Sequence, residues 1–171
     1  MRVTPMRLAV ALTGAVALLS GCSGQPAKAP EGEAAVNVPA QQQYTNSSAN
    51  YTFTYPSNWN TRIKPQDTNV WEGKALLDAE NVVVFDYVEI DNGGKTSPLL
   101  ALATYDKATY EAMMTKVGVE MPRGQVIAYR NGKVLVVYTS TANPYDTASF
   151  QGQQYAARLL SPEQVKNAIV W

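Results

Sequence analysis

The sequence predicts an α+β domain, in which helices pack on one face of an antiparallel β-sheet. The first observation is the dipeptide Asn131-Gly132, which separates the largely apolar runs 126–130 and 133–139. Asn-Gly between such runs is the strongest short-range signal for a β-hairpin, because both turn residues must accept positive φ. The second observation is a pair of capped helical patterns in segments separate from the strand-like runs. Antiparallel strands with segregated helices are typical of the α+β class.

Three further runs predict strands ahead of the hairpin. Residues 51–55 (YTFTY) alternate aromatic and polar side chains, as a half-buried strand does. Pro56 ends this run in a turn, from which Trp59 is expected to fold back on the core. Residues 82–90 are rich in branched and aromatic residues and are followed by the turn sequence DNGG. Residues 99–105 are predicted as the next strand, although their alanines leave a helix as the alternative.

Two helices carry recognisable caps. Asp106 is the predicted N-cap of the first, and Gly118 its C-terminal stop. Apolar residues at spacings of 0, 3, 4 and 7 place one face of this helix on the core: Tyr110, Met113, Met114 and Val117. The second helix has the pattern of a capping box with proline in the first turn: Ser161, Pro162 and Gln164. Its core-facing residues are predicted to be Val165, Ala168 and Ile169. A further helical stretch, 153–160, is predicted to precede it.

The N-terminal segment has the parts of an export signal. Arg2 and Arg7 make a positive start, and residues 8–19 are apolar or small. This apolar run is shorter than the about 20 residues that a membrane-spanning helix needs, and no other segment approaches 18 apolar residues. The run ends in Leu19-Ser20-Gly21-Cys22, which resembles the lipobox of bacterial lipoproteins at all four positions.

The lipobox resemblance implies that Cys22 carries a lipid anchor. It implies a diacylglycerol on the Cys22 sulfur, cleavage after Gly21 and usually a third acyl chain on the new amine. Two or more acyl chains anchor a protein stably in a membrane. The alternative is an ordinary secretory signal that contains a cysteine. Ser23 stands where aspartate favours inner-membrane retention in enteric lipoproteins, so by analogy we expect the outer membrane where one exists, with the domain facing the periplasm or exterior.

The chain divides into three predicted segments. Residues 1–21 are the signal peptide. Residues 22–43 are a lipidated, flexible tether, because a segment rich in Pro, Ala, Gly and Gln without aromatics cannot offset the entropy of ordering. Within it, the stretch 36–39 could instead pack on the domain as an arm. Residues 44–171 are a single globular domain of roughly 128 residues, which is large enough for its own core.

Composition excludes several kinds of site. The chain has no histidine, and Cys22 is its one cysteine. Ser-His-Asp triads, the usual zinc sites, cysteine nucleophiles and disulfides are therefore excluded once Cys22 is lipidated. We accordingly expect no catalytic residue, no cofactor and no metal. The 14 basic and 14 acidic residues become 12 and 14 when Arg2 and Arg7 leave with the signal. The mature net charge is then about −2, and no basic run indicates binding to nucleic acid.

A second resemblance rests on nine residues, 51–59. Their sequence, YTFTYPSNW, is similar to the opening strand of PsbP-like and Mog1-like domains, which often read phenylalanine, tyrosine, proline and then tryptophan. The resemblance implies an α/β/α sandwich-like fold, with helices on an antiparallel sheet. Those families mostly act as assembly or binding proteins, so the resemblance implies no catalytic residue.

Acidic and aromatic side chains are the candidate site residues. Asp86, Glu89 and Asp91 offer the oxygens that calcium prefers. Asp86 and Glu89, however, stand an odd number of positions apart on a strand, so they are expected on opposite faces as solvated charges. A line of aromatics could stack on sugar rings or hold a peptide, and the candidates are Trp59, Trp71, Tyr87 and, as an exposed loop tyrosine, Tyr145. Their alternative roles are in the core for the first three and in a plain connection for Tyr145.

Two functions remain open from the sequence. The one we expect is a non-enzymatic, membrane-anchored cell-envelope lipoprotein that binds another envelope protein, which requires an exposed apolar or aromatic patch of several hundred Å². The alternative is a lipoprotein that binds a small ligand or glycan, which requires a concave pocket with aromatics and convergent polar groups. An enzyme without histidine or a free thiol would need a buried carboxylate or lysine of perturbed pKa.

Overall fold

Strands dominate the part of the chain that the computed structural model describes, residues 41–90, 93–116, 118 and 122–171. The strands are β1 (Gln42–Asn46), β2 (Tyr51–Tyr55), β3 (Ile63–Asp67), β4 (Val70–Trp71), β5 (Lys74–Ala75), β6 (Asn81–Val88), β7 (Thr96–Asp106), β8 (Gln125–Arg130), β9 (Lys133–Thr139) and β10 (Ile169–Val170). The helices are α1 (Lys107–Thr115), α2 (Phe150–Ala156) and α3 (Pro162–Asn167), and a 3-10 turn covers Ser57–Trp59. The predictions for the signal peptide, for Cys22 and the tether up to residue 40, for Asp91 and for Val117 fall outside the described residues.

A five-stranded sheet in the order β3-β6-β7-β9-β8 forms the centre of the fold. Every strand pair in it is antiparallel. The predicted β8–β9 hairpin is confirmed, with φ of 48° at Asn131 and 75° at Gly132. Residues 99–105 lie within β7, so the strand prediction is confirmed over the helical alternative. A three-stranded antiparallel sheet, β1-β2-β10, and the β4–β5 hairpin complete the strands, and together with the helices they confirm the α+β class.

One face of the five-stranded sheet packs against β2, the 3-10 turn, α2 and α3. Successive residues of a strand point to opposite faces, and every second residue of the central strands belongs to one buried cluster. Its members from the sheet include Val83, Phe85, Leu102, Leu135 and Val137, and those from the covering elements include Phe53, Trp59, Tyr155 and Val165. Trp59 is 1% exposed, which confirms that this tryptophan returns to the core after Pro56.

The opposite face is covered as well, so the expectation of helices on one face only is wrong. Its buried cluster combines sheet residues with side chains from α1 and from the segment around the β4–β5 hairpin: Val82, Val84, Ala101, Ala103, Val134 and Val136 with Trp71, Leu76 and Tyr110. The physical reason lies in the central strands, which carry apolar side chains at consecutive positions. Removing both faces of such strands from water therefore stabilises the folded state.

The cap predicted for α1 is confirmed. The Asp106 carboxylate accepts a hydrogen bond from the backbone N–H of Thr109 at 3.0 Å. Tyr110 is buried and Met113 half-buried, but Met114 is 57% exposed, so its predicted core position is wrong. The helix has only nine residues, and its contact with the sheet is narrower than the four-residue stripe that the spacing predicts.

The capping box predicted for α3 is also confirmed. Gln164 accepts from the backbone N–H of Ser161 at 2.8 Å, and the Ser161 hydroxyl accepts from the backbone N–H of Gln164 at 3.3 Å. The helix predicted over 153–160 instead begins at Phe150, because Ser149 caps it through the backbone N–H of Gly152 at 3.0 Å. Serine N-caps therefore start both helices of this part of the chain.

The start of the domain differs from its predicted position. Strand β1 begins at Gln42 and pairs along its length with β2, so the last two residues assigned to the tether are part of a sheet. The register pairs Gln42 with Tyr55, whose hydroxyl donates to the Gln42 side chain at 3.0 Å. Among the described residues, no helix is long and apolar enough to cross a membrane.

Candidate functional site

Two of the aromatic residues predicted as a binding surface lie in the core. Trp59 is 1% exposed, and its indole N–H donates to the backbone oxygen of Arg158 at 3.0 Å. Tyr87 is fully buried beneath the rings of Tyr145 and Tyr155, with centroid separations of 5.9 and 5.8 Å. A side chain without accessible surface has no area to offer a ligand, so these two predicted binding residues are corrected to core residues.

The other two predicted aromatic residues, Trp71 and Tyr145, pack against other side chains of the domain. Trp71 is 3% exposed and packs near Tyr138, although its edge borders a small cleft of about 250 Å³. Tyr145 is half-buried, and its hydroxyl shares a 2.8 Å hydrogen bond with Ser97. Burial raises the pKa of Tyr145 to about 12. The expectation of an exposed loop tyrosine is therefore wrong, because the loop folds its ring onto Tyr87.

Asp86 on β6 and Glu89 just after it are not the solvated charges that the sequence predicts. Asp86 is 8% and Glu89 7% exposed. The strand keeps its alternation, because the register shift next to Asp86 leaves Leu99 of the neighbouring strand β7 without a partner. Burial raises the pKa of Asp86 above its usual 3.8, although a hydrogen bond donated by Gln66 acts in the opposite direction. In the described part of the chain, no group of three His, Cys, Asp or Glu side chains is placed to hold a metal ion.

A cleft of about 540 Å³ lies where one end of the five-stranded sheet meets the β1–β2 connection. Neighbouring strands bring its walls together, because Asn81 at the start of β6 pairs with Thr104 near the end of β7. The lining residues come from four parts of the fold: the connection 48–50, Glu80 and Asn81 with Thr104, the hairpin residues Arg130, Asn131 and Lys133, and Trp171.

A buried asparagine, Asn46, orients the side-chain amide of Asn81 in the lining of this cleft. Asn46 is 5% exposed, and its carbonyl oxygen accepts from the backbone N–H of Ala49 at 2.9 Å. That bond leaves the Asn46 amide nitrogen to donate to the Oδ1 atom of Asn81. An amide has two donors on nitrogen and an acceptor on oxygen. Asn81 lines the cleft, and because its oxygen already accepts from Asn46, its two N–H groups remain as donors.

The charged wall of the cleft carries more positive than negative charge. Lys133 and Glu80 form an ion pair whose side chains are 39% and 46% exposed. Arg130, at the end of β8, is exposed, and no carboxylate of the described residues pairs with it. The lining therefore has two cations and one carboxylate, a net charge of +1 from the three ionised side chains.

Trp171 supplies an aromatic side chain in a fixed position. Its indole N–H donates to the backbone oxygen of Ala49 at 2.8 Å, and the residue is half-buried. Ala49 therefore links two lining elements, because its N–H binds Asn46 and its oxygen binds Trp171. Asn50, the next residue of the connection, has φ of 55°, a left-handed conformation that asparagine tolerates.

Sequence reasoning missed this site. Its residues are spread from position 48 to 171, and each belongs to a turn or a strand end with an ordinary local pattern. The one available signal was the Asn131-Gly132 turn, which locates a hairpin tip but not what lies opposite. Exposed loops and strand ends commonly carry binding residues, and here their convergence depends on the pairing of distant strands.

Comparison of the chain with protein-family models, with curated proteins and with solved structures finds no match.

Proposed function

We propose that this chain is a lipid-anchored cell-envelope protein whose domain binds a saccharide in the cleft between the β1–β2 connection and the β8–β9 hairpin. The observation that carries the proposal is the cleft itself: about 540 Å³, lined by amides, hydroxyls and charged groups, with Trp171 among them. Its volume falls in the range of about 300–1,000 Å³ that ligand pockets occupy.

The chemistry of the lining suits a ligand rich in hydroxyl groups. Sugar hydroxyls both donate and accept hydrogen bonds, and they need partners of both kinds at fixed positions. Asn81 offers donors, Glu80 offers an acceptor, and Ser48 and Thr104 carry hydroxyls that do both. The ring of Trp171 provides apolar surface for the C–H face of a sugar. A purely apolar ligand would leave these polar groups without partners, which costs free energy.

The cleft favours ligand binding over the binding of another envelope protein, which was the first expectation from the sequence. A protein-binding face of the kind expected there is a contiguous apolar patch. The large exposed apolar side chains instead come from many different segments: Val70, Leu77, Ile90, Met114, Tyr129, Phe150 and Val170. Single exposed apolar residues are normal on protein surfaces and need no partner.

We propose binding rather than catalysis for the same cleft. Glycoside hydrolysis generally requires two carboxylates on either side of the scissile bond. Among the described residues that line the cleft, Glu80 has the one carboxylate side chain, and it is paired with Lys133. The lining thus has hydrogen-bonding groups for recognition, while the acid–base pair that hydrolysis needs is incomplete there.

The lipid anchor is proposed because Leu19–Cys22 resembles the lipobox of bacterial lipoproteins. We also propose that the antiparallel sheet with helices is a sandwich of the PsbP-like and Mog1-like kind, which the motif YTFTYPSNW supports. Replacement of Cys22 by serine is expected to abolish acylation and to leave the precursor uncut after Gly21. Incorporation of labelled palmitate into the Cys22→Ser protein would show that the lipobox interpretation is wrong.

Saccharide binding can be measured on the mature lipoprotein in detergent micelles. Saturation-transfer NMR with a panel of envelope saccharides is expected to show transfer to at least one of them. The signal should fall in Asn81→Ala, which removes a donor from the cleft floor. Asn58→Ala is the matched control, because Asn58 is an exposed asparagine outside the cleft. Absence of transfer for the whole panel, with one envelope protein captured stoichiometrically by crosslinking, would instead support the protein-binding function.

A further inference from the structure

We infer that the saccharide bound in the cleft is acidic, and that Arg130 binds its carboxylate while Asn81 donates to oxygens of a neighbouring ring. This inference rests on the proposed function, which it makes specific: the ligand class narrows from saccharides in general to sugar acids.

The lining of the cleft has more available donors than available acceptors. The Asn81 oxygen is occupied by Asn46, so Asn81 offers N–H groups. The Glu80 carboxylate accepts from Lys133 with one of its two oxygens, so the strongest acceptor of the lining is only partly available to a ligand. A ligand that supplies more acceptors than donors satisfies such a lining best. A carboxylate supplies acceptors alone, with two oxygens and no donor.

The charge of the lining also favours an acidic ligand. Lys133 is neutralised by Glu80, whereas Arg130 has no carboxylate partner in the described part of the chain. A guanidinium presents planar N–H donors in a geometry that matches both oxygens of a carboxylate. One unpaired arginine therefore fits one carboxylate group on the ligand.

A ligand that contacts both Asn81 and Arg130 must span the distance between them. Asn81 begins β6 and Arg130 ends β8, and in the sheet order β6-β7-β9-β8 these strands are three spacings apart. At about 4.8 Å for each spacing, the two backbones are about 14 Å apart. A free inorganic anion at Arg130 would not reach Asn81, whereas a saccharide with its carboxylate at one end can contact both.

The test compares an acidic disaccharide, made of a hexuronic acid and a hexose, with its methyl ester. The ester has the same rings and hydroxyls but no charge. Isothermal titration of the mature lipoprotein in detergent is expected to give about tenfold tighter binding of the acid, which corresponds to about 1.4 kcal/mol. Arg130→Gln should bind acid and ester equally, whereas Asn81→Ala should weaken both by similar factors.

The outcomes separate this inference from the proposed function. If wild-type protein binds acid and ester with equal affinity, the inference is wrong and the cleft still binds saccharides. If Arg130→Gln keeps the preference for the acid, Arg130 is not its ligand and the inference is also wrong. If neither compound nor any neutral saccharide binds, both proposals are wrong. Unfolding midpoints of all variants control for folding, and Arg130→Gln should match wild type because Arg130 is exposed.

Discussion

The hydrogen bond between Asn46 and Asn81 can be tested by a double-mutant cycle that links stability to the cleft. Asn46→Ala removes the acceptor of the Ala49 backbone N–H and the donor to Asn81. A net value of about 0.5–1.5 kcal/mol for each bond predicts a loss of about 1–3 kcal/mol in the free energy of unfolding. Asn81→Ala removes only the bond that the two side chains share, so its expected loss is about 0.5–1.5 kcal/mol.

The shared bond should appear as a coupling energy. In the double variant the loss should be smaller than the sum of the two single losses by about 0.5–1.5 kcal/mol. Urea unfolding followed by tryptophan fluorescence is suitable, because Trp59 and Trp71 are buried and report the loss of the core. Asn46→Ala should also weaken saccharide binding, since it frees Asn81 to rotate.

A matched pair provides the control for this cycle. Asn46→Ala and Arg130→Gln concern residues of two different sheets that share no hydrogen bond, so their effects on stability should add within about 0.3–0.5 kcal/mol. A coupling between Asn46 and Asn81 no larger than in this control would refute the hydrogen bond and the orientation assigned to Asn81. The donor excess of the cleft would then lose its basis.

Two further predictions concern the core around the site. Gly152→Ala should destabilise the fold by about 1–3 kcal/mol, because a Cβ at Gly152 would lie 2.1 Å from the backbone oxygen of Asp146. The control Gln153→Ala, at an exposed position of α2, should change stability by less than about 0.5 kcal/mol in the same urea assay. Equal effects of the two substitutions would contradict the close approach at Gly152. Asp86→Asn should raise the urea midpoint at neutral pH. Burial raises the folded-state pKa of Asp86 above 3.8. The protonated carboxyl group therefore contributes its full stabilisation below pH 3.8, and this stabilisation is lost as the pH rises through the raised pKa. The two proteins should converge at about pH 3, where the carboxyl is protonated in both states, and a midpoint unchanged by the substitution at neutral pH would contradict this account.

Local signals account for the parts of the fold that the sequence predicts correctly. The Asn131-Gly132 turn, the Asp106 cap and the Ser161 capping box each depend on residues within four positions of one another. Their geometry is determined by φ preferences and by backbone groups that need a partner nearby. Such patterns can be recognised without knowing what the element packs against.

Errors arise where the outcome depends on packing between distant segments. Met114 follows the helical spacing of a core residue, yet it is exposed because α1 contacts the sheet over a narrow stripe. Tyr145 has the sequence context of an exposed loop, yet its ring packs on Tyr87. Asp86 and Glu89 have the sequence pattern of solvated charges, yet both are buried, and Asp86 accepts a hydrogen bond from Gln66 of the neighbouring strand β3.

The sequence by itself determined the α+β class, the hairpin and the helix caps, and it carries the motif from which the lipid anchor at Cys22 is proposed. Tertiary structure alone decided which aromatic residues are buried and where the cleft forms. The reason is that turns and caps are satisfied by neighbouring backbone groups, whereas the cleft requires Asn46, Asn81, Arg130 and Trp171 to meet. They meet through contacts between distant segments, such as the hydrogen bond of Asn46 with Asn81, 35 positions away, and that of Ala49 with Trp171, 122 positions away.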